Sequence, residues 1–231
     1  MPFRMEVGSR PVPTRARAIT AATAALRRGE LVVLPVESSY GLAADAFSTT
    51  GIDALRAAKG SGAATPLTVL IGAHRTADGL ASGISTAARD LMQAFWPGPL
   101  TLILREQPTL AWDLGGGYGV ISLRMPLHPV ALDLLAASGP LAVTGANRAG
   151  SSVPRDCDQA EAQFGDEVTV YLDAGPSPEG MPSSVVDVSG DVPVLLREGA
   201  ISLDSLRRAC PELEAPDGPA VRRDGPAPQG P

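Results

Sequence analysis

Six short stretches of this 231-residue chain carry more hydroxyls, cations and small residues than a turn needs. The first runs from Pro35 to Leu42 and offers the hydroxyls of Ser38, Ser39 and Tyr40 directly after an apolar run. Ligands of open α/β sheets bind at such carboxyl ends of strands. In the second, Lys59 precedes Gly60-Ser61-Gly62. An ammonium group beside a glycine-bearing loop can hold a phosphate, the Lys as a point charge and the backbone N–H groups as a cradle. The spacing is not GxxxxGK[ST], so it is not a P-loop. In the third, Arg124 closes an apolar run ahead of Pro126 and His128-Pro129, where a fixed guanidinium suits a carboxylate or a phosphate. The fourth, Thr144 to Ser152, combines small residues with Thr144, Asn147, Arg148 and Ser152, so that a ligand could approach the backbone closely. The last two place Ser183 just before an apolar run and Arg197 just after one. The shared chemistry is the binding and alignment of anions.

Each stretch also has a plainer reading when taken alone. Ser38 and Ser39 fit an ordinary polar turn. Lys59 followed by Gly60 fits a cation on a helix C-terminus with a glycine cap. Arg124 and Arg197 fit structural or surface ion pairs, and Thr144 to Ser152 fits a surface loop. His128 before Pro129 reads as a helix N-cap or a packed imidazole. Gly115 to Gly117 reads as a turn, and Trp96-Pro97 as the packed end of a helix.

The elements that would position these residues alternate between apolar runs and amphipathic ones. Helices are predicted through Ile19, Ala22 and Leu26, ending at Gly29; through Ile52, Leu55 and Ala58; through Ala87, Leu91, Met92 and Phe95, ending at Pro97; and from Pro129 through Leu135. Two more run from an Asp156/Gln159 cap to Phe164 and from Ile201 to Cys210. Strands are predicted over 31–34, 67–71, 101–104, 120–123, 141–143, 168–172, 185–188 and 194–196. This predicts one α/β domain with a large mixed sheet over 15–210. Residues 1–14 read as a flexible N-terminus and 211–231 as a disordered tail rich in Pro and Gly.

Composition narrows the function. A net charge of −6 argues against a broad duplex-binding face, so no stable DNA binding is expected. The two cysteines, Cys157 and Cys210, are far apart and lack metal spacing, which predicts neither a disulfide framework nor a metal site. No apolar run reaches membrane-spanning length and no apolar signal core opens the chain, so the cytoplasm is the expected compartment.

In order and spacing the six stretches, with one further run, resemble the threonylcarbamoyl-AMP synthase (YrdC-like) family, from about Arg15 to Ala209. The family's P-T-[DE]-T-x-Y-G-[LI] stands here as Pro35 to Leu42, its K-[GR]-R loop as Lys59-Gly60-Ser61, and its F-W-P-G-P-[LM]-T as Phe95 to Thr101. Its R-x-P-x-H-P is Arg124 to Pro129, and its S-x-A-N-x-S-G is Thr144 to Gly150. Its P-S-T-[VI]-V-D is Pro182 to Asp187, and its [IL]-L-R-x-G is Leu195 to Gly199. The likeness is nearest to the short form of the family, without an added C-terminal domain.

The resemblance implies a twisted, mostly mixed or antiparallel sheet with flanking helices around a basic concave cavity. It implies a nucleotidyltransferase that condenses ATP, bicarbonate and L-threonine to threonylcarbamoyl-AMP and pyrophosphate, with Mg2+ accompanying the nucleotide. The carbamoyl group would then reach an adenosine of tRNA through a partner protein. By matching positions, Lys59, Asn147, Ser152 and Arg197 would hold ATP. Ser38, Tyr40, Arg124, Thr144 and Ser183 would hold the amino acid, and Lys59 and Arg124 would be the catalytic cations. Three positions depart from the pattern: Val36 stands for Thr, Ser61 for Arg and Ala149 for Ser. Arg148, an added charge, could stand in for the lost Arg. Two alternatives follow: a diverged paralogue using another amine or carbamoyl acceptor, and a non-catalytic nucleotide- or RNA-binding module.

Overall fold

A computed structural model describes residues 2–8, 12–60, 62, 65–112, 114–115 and 119–215. In chain order the elements are β1 (Phe3–Glu6), α1 (Val12–Arg27), β2 (Val32–Val36), β3 (Ser39–Asp45), α2 (Thr49–Lys59), β4 (Thr68–Leu70), α3 (His74–Leu80), α4 (Thr86–Phe95) and β5 (Leu100–Arg105). There follow β6 (Val120–Arg124), α5 (Pro129–Ser138), β7 (Leu141–Gly145), α6 (Cys157–Phe164), β8 (Val170–Asp173), β9 (Ser184–Asp187), β10 (Val194–Arg197) and α7 (Leu203–Ala209). All ten strands form one mixed sheet in the order β1-β8-β2-β3-β7-β4-β6-β5-β9-β10.

Local signals set several helix ends. Ser48 caps α2 by accepting from the Gly51 N–H, and Gly60 closes it at φ 69° while donating to the Arg56 and Ala57 carbonyls. That closure leaves Lys59 as the last helical residue. His128 caps α5, its Nδ1 accepting from the Val130 N–H at 3.3 Å, with Pro129 in the first turn. Asp156 caps α6 through Gln159, as the sequence predicts. Trp96 ends α4 and donates from Nε1 to the Leu100 carbonyl.

The sheet buries an apolar layer on each face. Leu42, Ala44, Val69, Leu102, Leu123 and Ala142 pack on the face that meets α2, α4 and α6. Ala43, Leu34, Leu70, Leu141 and Val143 pack on the other, beneath α1 and α5. Strands β2 and β3 are therefore buried on both sides and show no polar alternation. Beyond the two helices, the second face continues across Ser122, Arg124 and Thr101, which the pleat places on the same side as Leu70.

Described residues on both sides of 15–210 also take part in the fold. β1 lies inside the segment read as a flexible N-terminus and pairs in parallel with β8. It is a short edge strand with mostly exposed side chains, so no alternation announces it. At the other end Leu213 is buried and Glu214 bridges to Val194, while residues 216–231 of the expected tail lie outside the described residues. Part of the Gly115 to Gly117 turn also lies outside them. Cys157 and Cys210 are both unpaired and buried, and burial pushes their thiols up to about 12 and about 11. Among the described residues no helix is long and apolar enough to cross a membrane.

Candidate active site

Arg124 closes β6, and its side chain is largely buried. Its Nε donates to the Gly98 carbonyl at 3.2 Å, and its Nη2 pairs with Glu37 in the turn between β2 and β3. The other Glu37 oxygen accepts from the Leu127 N–H. Burial pulls the Arg124 guanidinium below its ordinary value, and the Glu37 carboxylate opposes that pull. The strand registers make this contact informative. Arg124 is level with Leu70, Leu141 and Asp45, whereas Glu37 lies beyond the opposite end of β3. The pair therefore joins positions far apart along the strand registers, with the sheet twist and the β2–β3 turn bringing them together. Glu37 also has a φ of 34°, a left-handed conformation that costs a non-glycine residue about 1 kcal/mol.

On the same face, the Thr101 hydroxyl lies 2.9 Å from that of Ser183. Arg197 holds the Ser183 carbonyl with Nε at 3.0 Å and Nη2 at 2.8 Å, and Nη2 also reaches the Ser183 hydroxyl at 3.2 Å. The close approach needs glycine at 199, where a Cβ would sit 2.2 Å from the Pro182 oxygen. Two contact groups result: Arg124 with Gly98 and Glu37, and Arg197 with Ser183 and Thr101. The hydroxyl of Ser38, next to Glu37 in the chain, reaches only the Met181 carbonyl among the described residues, at 3.5 Å.

A third set gathers where α2 meets the end of β7. Lys59 Nζ donates to the Gly145 carbonyl at 3.0 Å and to Asn147 Oδ1 at 2.7 Å. Burial depresses the Lys59 ammonium to about 8. Asn147 is itself buried, and its amide donates to the Arg148 and Ser151 carbonyls at 3.0 and 2.7 Å. This set and the Arg124 group share β3: Gly41 pairs with Gly145, and Glu37 is four residues upstream, at most about 14 Å away.

Three expectations change. Tyr40 was expected on the amino acid, but its side chain is fully buried. Its hydroxyl donates to the Gly175 carbonyl at 2.6 Å and accepts from the Ala174 N–H at 3.0 Å, tying β3 to the loop after β8. Arg148 does not replace the missing loop cation. It donates to the Gln163 and Ala58 carbonyls, pairs with Glu167 and lies 5.4 Å over the Phe164 ring. Thr144 shares its face with Leu42, on the side of the sheet opposite Arg124. Ser152 is exposed, with its carbonyl accepting from Gln163 Nε2. Ser61 lies outside the described residues.

Glu37 and Thr101 were missed. Glu37 is the single charged residue of Pro35 to Leu42, which is the signal that could have marked it. Thr101 ends the Phe95 to Thr101 run and reads as an ordinary strand residue. A separate shallow notch, lined by Phe47, Asp53, Arg56 and Trp112, lies toward the other end of α2 and holds none of these residues.

A ten-stranded mixed sheet flanked by helices, with Lys59, Arg124 and Arg197 at helix and strand ends, defines a single α/β domain. The chain belongs to the Sua5/YciO/YrdC family, whose model, described as "Telomere recombination", matches residues 24–199. A protein of Mycobacterium tuberculosis named "Putative threonylcarbamoyl-AMP synthase" is 46% identical over 83% of this chain and 88% of its own. The crystal structure of Pyrococcus abyssi Sua5 complexed with L-threonine superposes with a TM-score of 0.86 at 31% identity, over 92% of this chain. This chain spans 62% of that archaeal one. Escherichia coli YciO, at 23% identity and a TM-score of 0.74 over 86% of this chain and 95% of its own, shares the fold.

Proposed function

We propose that this chain condenses ATP, bicarbonate and L-threonine into threonylcarbamoyl-AMP and pyrophosphate. The observation that carries the reading is the largely buried Arg124, held by the Gly98 carbonyl on one edge and by Glu37 on the other. A fixed guanidinium recognises a carboxylate with geometric specificity, and a relative of the same fold is described with L-threonine bound.

In this reading the threonine carboxylate lies on Arg124. The neutral α-amine adds to the carbon of bicarbonate and water leaves, giving a carbamate. A carbamate oxygen attacks the α-phosphorus of ATP, the bond to the β-phosphate bridge breaks, and pyrophosphate departs with the charge. No protein nucleophile takes part. The chain supplies alignment and charge neutralisation. Lys59, at the helix end beside Asn147, bears on the phosphates, and Arg197 and Ser152 are the further ATP contacts. Among the described residues no three His, Cys, Asp or Glu side chains gather to hold a metal. Mg2+ would accompany the nucleotide and help neutralise its phosphates. Transfer of the carbamoyl group to a tRNA adenosine would fall to a partner protein, in the cytoplasm.

The test is direct. Purified protein is given MgATP, labelled bicarbonate and each amino acid in turn, and pyrophosphate and labelled adenylate are followed together. Threonine-dependent release of both is expected. Release with another amine alone would assign the chain to a diverged paralogue. Nucleotide binding without release would make it a binding module.

A further inference from the structure

Glu37 has no part in the chemistry above, yet its position is costly and fully used. The left-handed φ it adopts suits Gly, Asn or Asp better than Glu. A turn alone would not require a carboxylate of this length. Both oxygens are engaged, one by Arg124 Nη2 and the other by the Leu127 N–H. These contacts tie the turn to the end of β6 and to the start of the segment leading into α5.

The guanidinium is planar and presents its five N–H donors in a rigid fork. Nε and Nη2 are committed to the Gly98 carbonyl and to Glu37. Two partners on separate segments fix both the plane and the rotation of a planar group. Nη1 has no hydrogen-bond partner among the described residues, and Nη2 retains its second N–H. The donors left over are those of a fork open to one more carboxylate.

We infer that Glu37 is a positioning residue: it holds Arg124 so that Nη1 and the second N–H of Nη2 meet the carboxylate of the amino-acid substrate. This rests on the reading that Arg124 takes that carboxylate. Without Glu37 the guanidinium keeps its charge but loses its fixed plane, and recognition of the amino acid suffers while that of ATP does not.

The experiment compares the wild type with Glu37→Gln and Glu37→Asp. It measures KM for threonine and for ATP in the pyrophosphate assay, threonine Kd by calorimetry, and a thermal melt to show that each variant is folded. Glu37→Gln should raise the threonine KM and Kd roughly 10- to 100-fold, the worth of one charge-assisted hydrogen bond. The ATP KM should stay within about twofold. Glu37→Asp keeps the charge and tolerates the left-handed φ, so it should recover part of the threonine affinity even where the Gln variant folds poorly. Unchanged threonine binding in both variants, or equal rises for threonine and ATP, would overturn the role. A wild type that binds threonine without releasing pyrophosphate would refute the activity and leave the calorimetry to judge Glu37. A wild type that binds no amino acid would overturn both.

Discussion

Raising the pH from 7.5 to 9.5 should weaken ATP binding about 25-fold, through Lys59. Nζ is half-buried at the end of α2, and burial lowers its pKa from 10.5 to about 8. Only the ammonium form attracts a phosphate. If the bound state requires it, the apparent Kd scales as 1 + 10^(pH − pKa), which is about 1.3 at pH 7.5 and about 33 at pH 9.5 for a pKa near 8. An unperturbed lysine would give a change of only about 1.1-fold over the same range. The assay is titration calorimetry with MgATP across that window, with Lys59→Arg as the control whose charge does not titrate. The wild-type Kd should climb relative to the variant. Parallel profiles would show either that the ammonium is not depressed or that it does not touch the phosphates. The fold carries the opposite dependence. The folded value lies below the unfolded one, so between about pH 8 and 10.5 the unfolded chain binds more protons. Lys59 therefore adds stability as pH rises through that window, and the addition is lost as pH falls through 8.

Tyr40→Phe should cost about 1–3 kcal/mol in a denaturant melt, because the Gly175 carbonyl and the Ala174 N–H each lose a partner. Both KM values should hold; a raised threonine KM without loss of stability would return Tyr40 to the substrate. Arg148→Met should likewise destabilise by about 1–3 kcal/mol and leave the ATP KM unchanged, since its contacts are with α2, α6 and Glu167. A selective rise in the ATP KM would restore the compensating cation. Gly199→Ala should lower the melting temperature and raise the threonine KM, because its Cβ would collide with the Pro182 and Ser183 backbone; wild-type behaviour would mean that Ser183 is not positioned by that contact.

What the sequence made legible was local. The caps at His128 and Asp156 and the helix ends at Trp96 and Gly60 depend on residues within a turn of each other. β3 was hidden for the opposite reason. Its Ser-Tyr-Gly-Leu-Ala-Ala-Asp has weak strand formers, and burial on both faces erases the alternation that betrays a strand. The Glu37–Arg124 pair joins residues 87 apart, and Tyr40 meets Gly175 across 135. Charge and hydroxyl content marked each stretch, but which polar atom faces which is decided by tertiary register.

Counting donors separates the residues that motif order alone leaves equivalent. A side chain can bind a ligand only with hydrogen-bonding capacity not already spent on the fold. Tyr40 has one donor, and it is spent. Asn147 has two amide donors, both given to backbone carbonyls, while its oxygen accepts from Lys59. In the proposed reading it would therefore act on a nucleotide through Lys59 rather than by direct donation. Lys59 uses two of its three donors and Arg124 two of its five, so each keeps capacity for an anion. The division of labour follows: a lysine with one N–H to spare beside the Asn147 amide, and an arginine with an unspent fork held by Glu37. The first suits the diffuse charge of a phosphate and the second the planar geometry of a carboxylate.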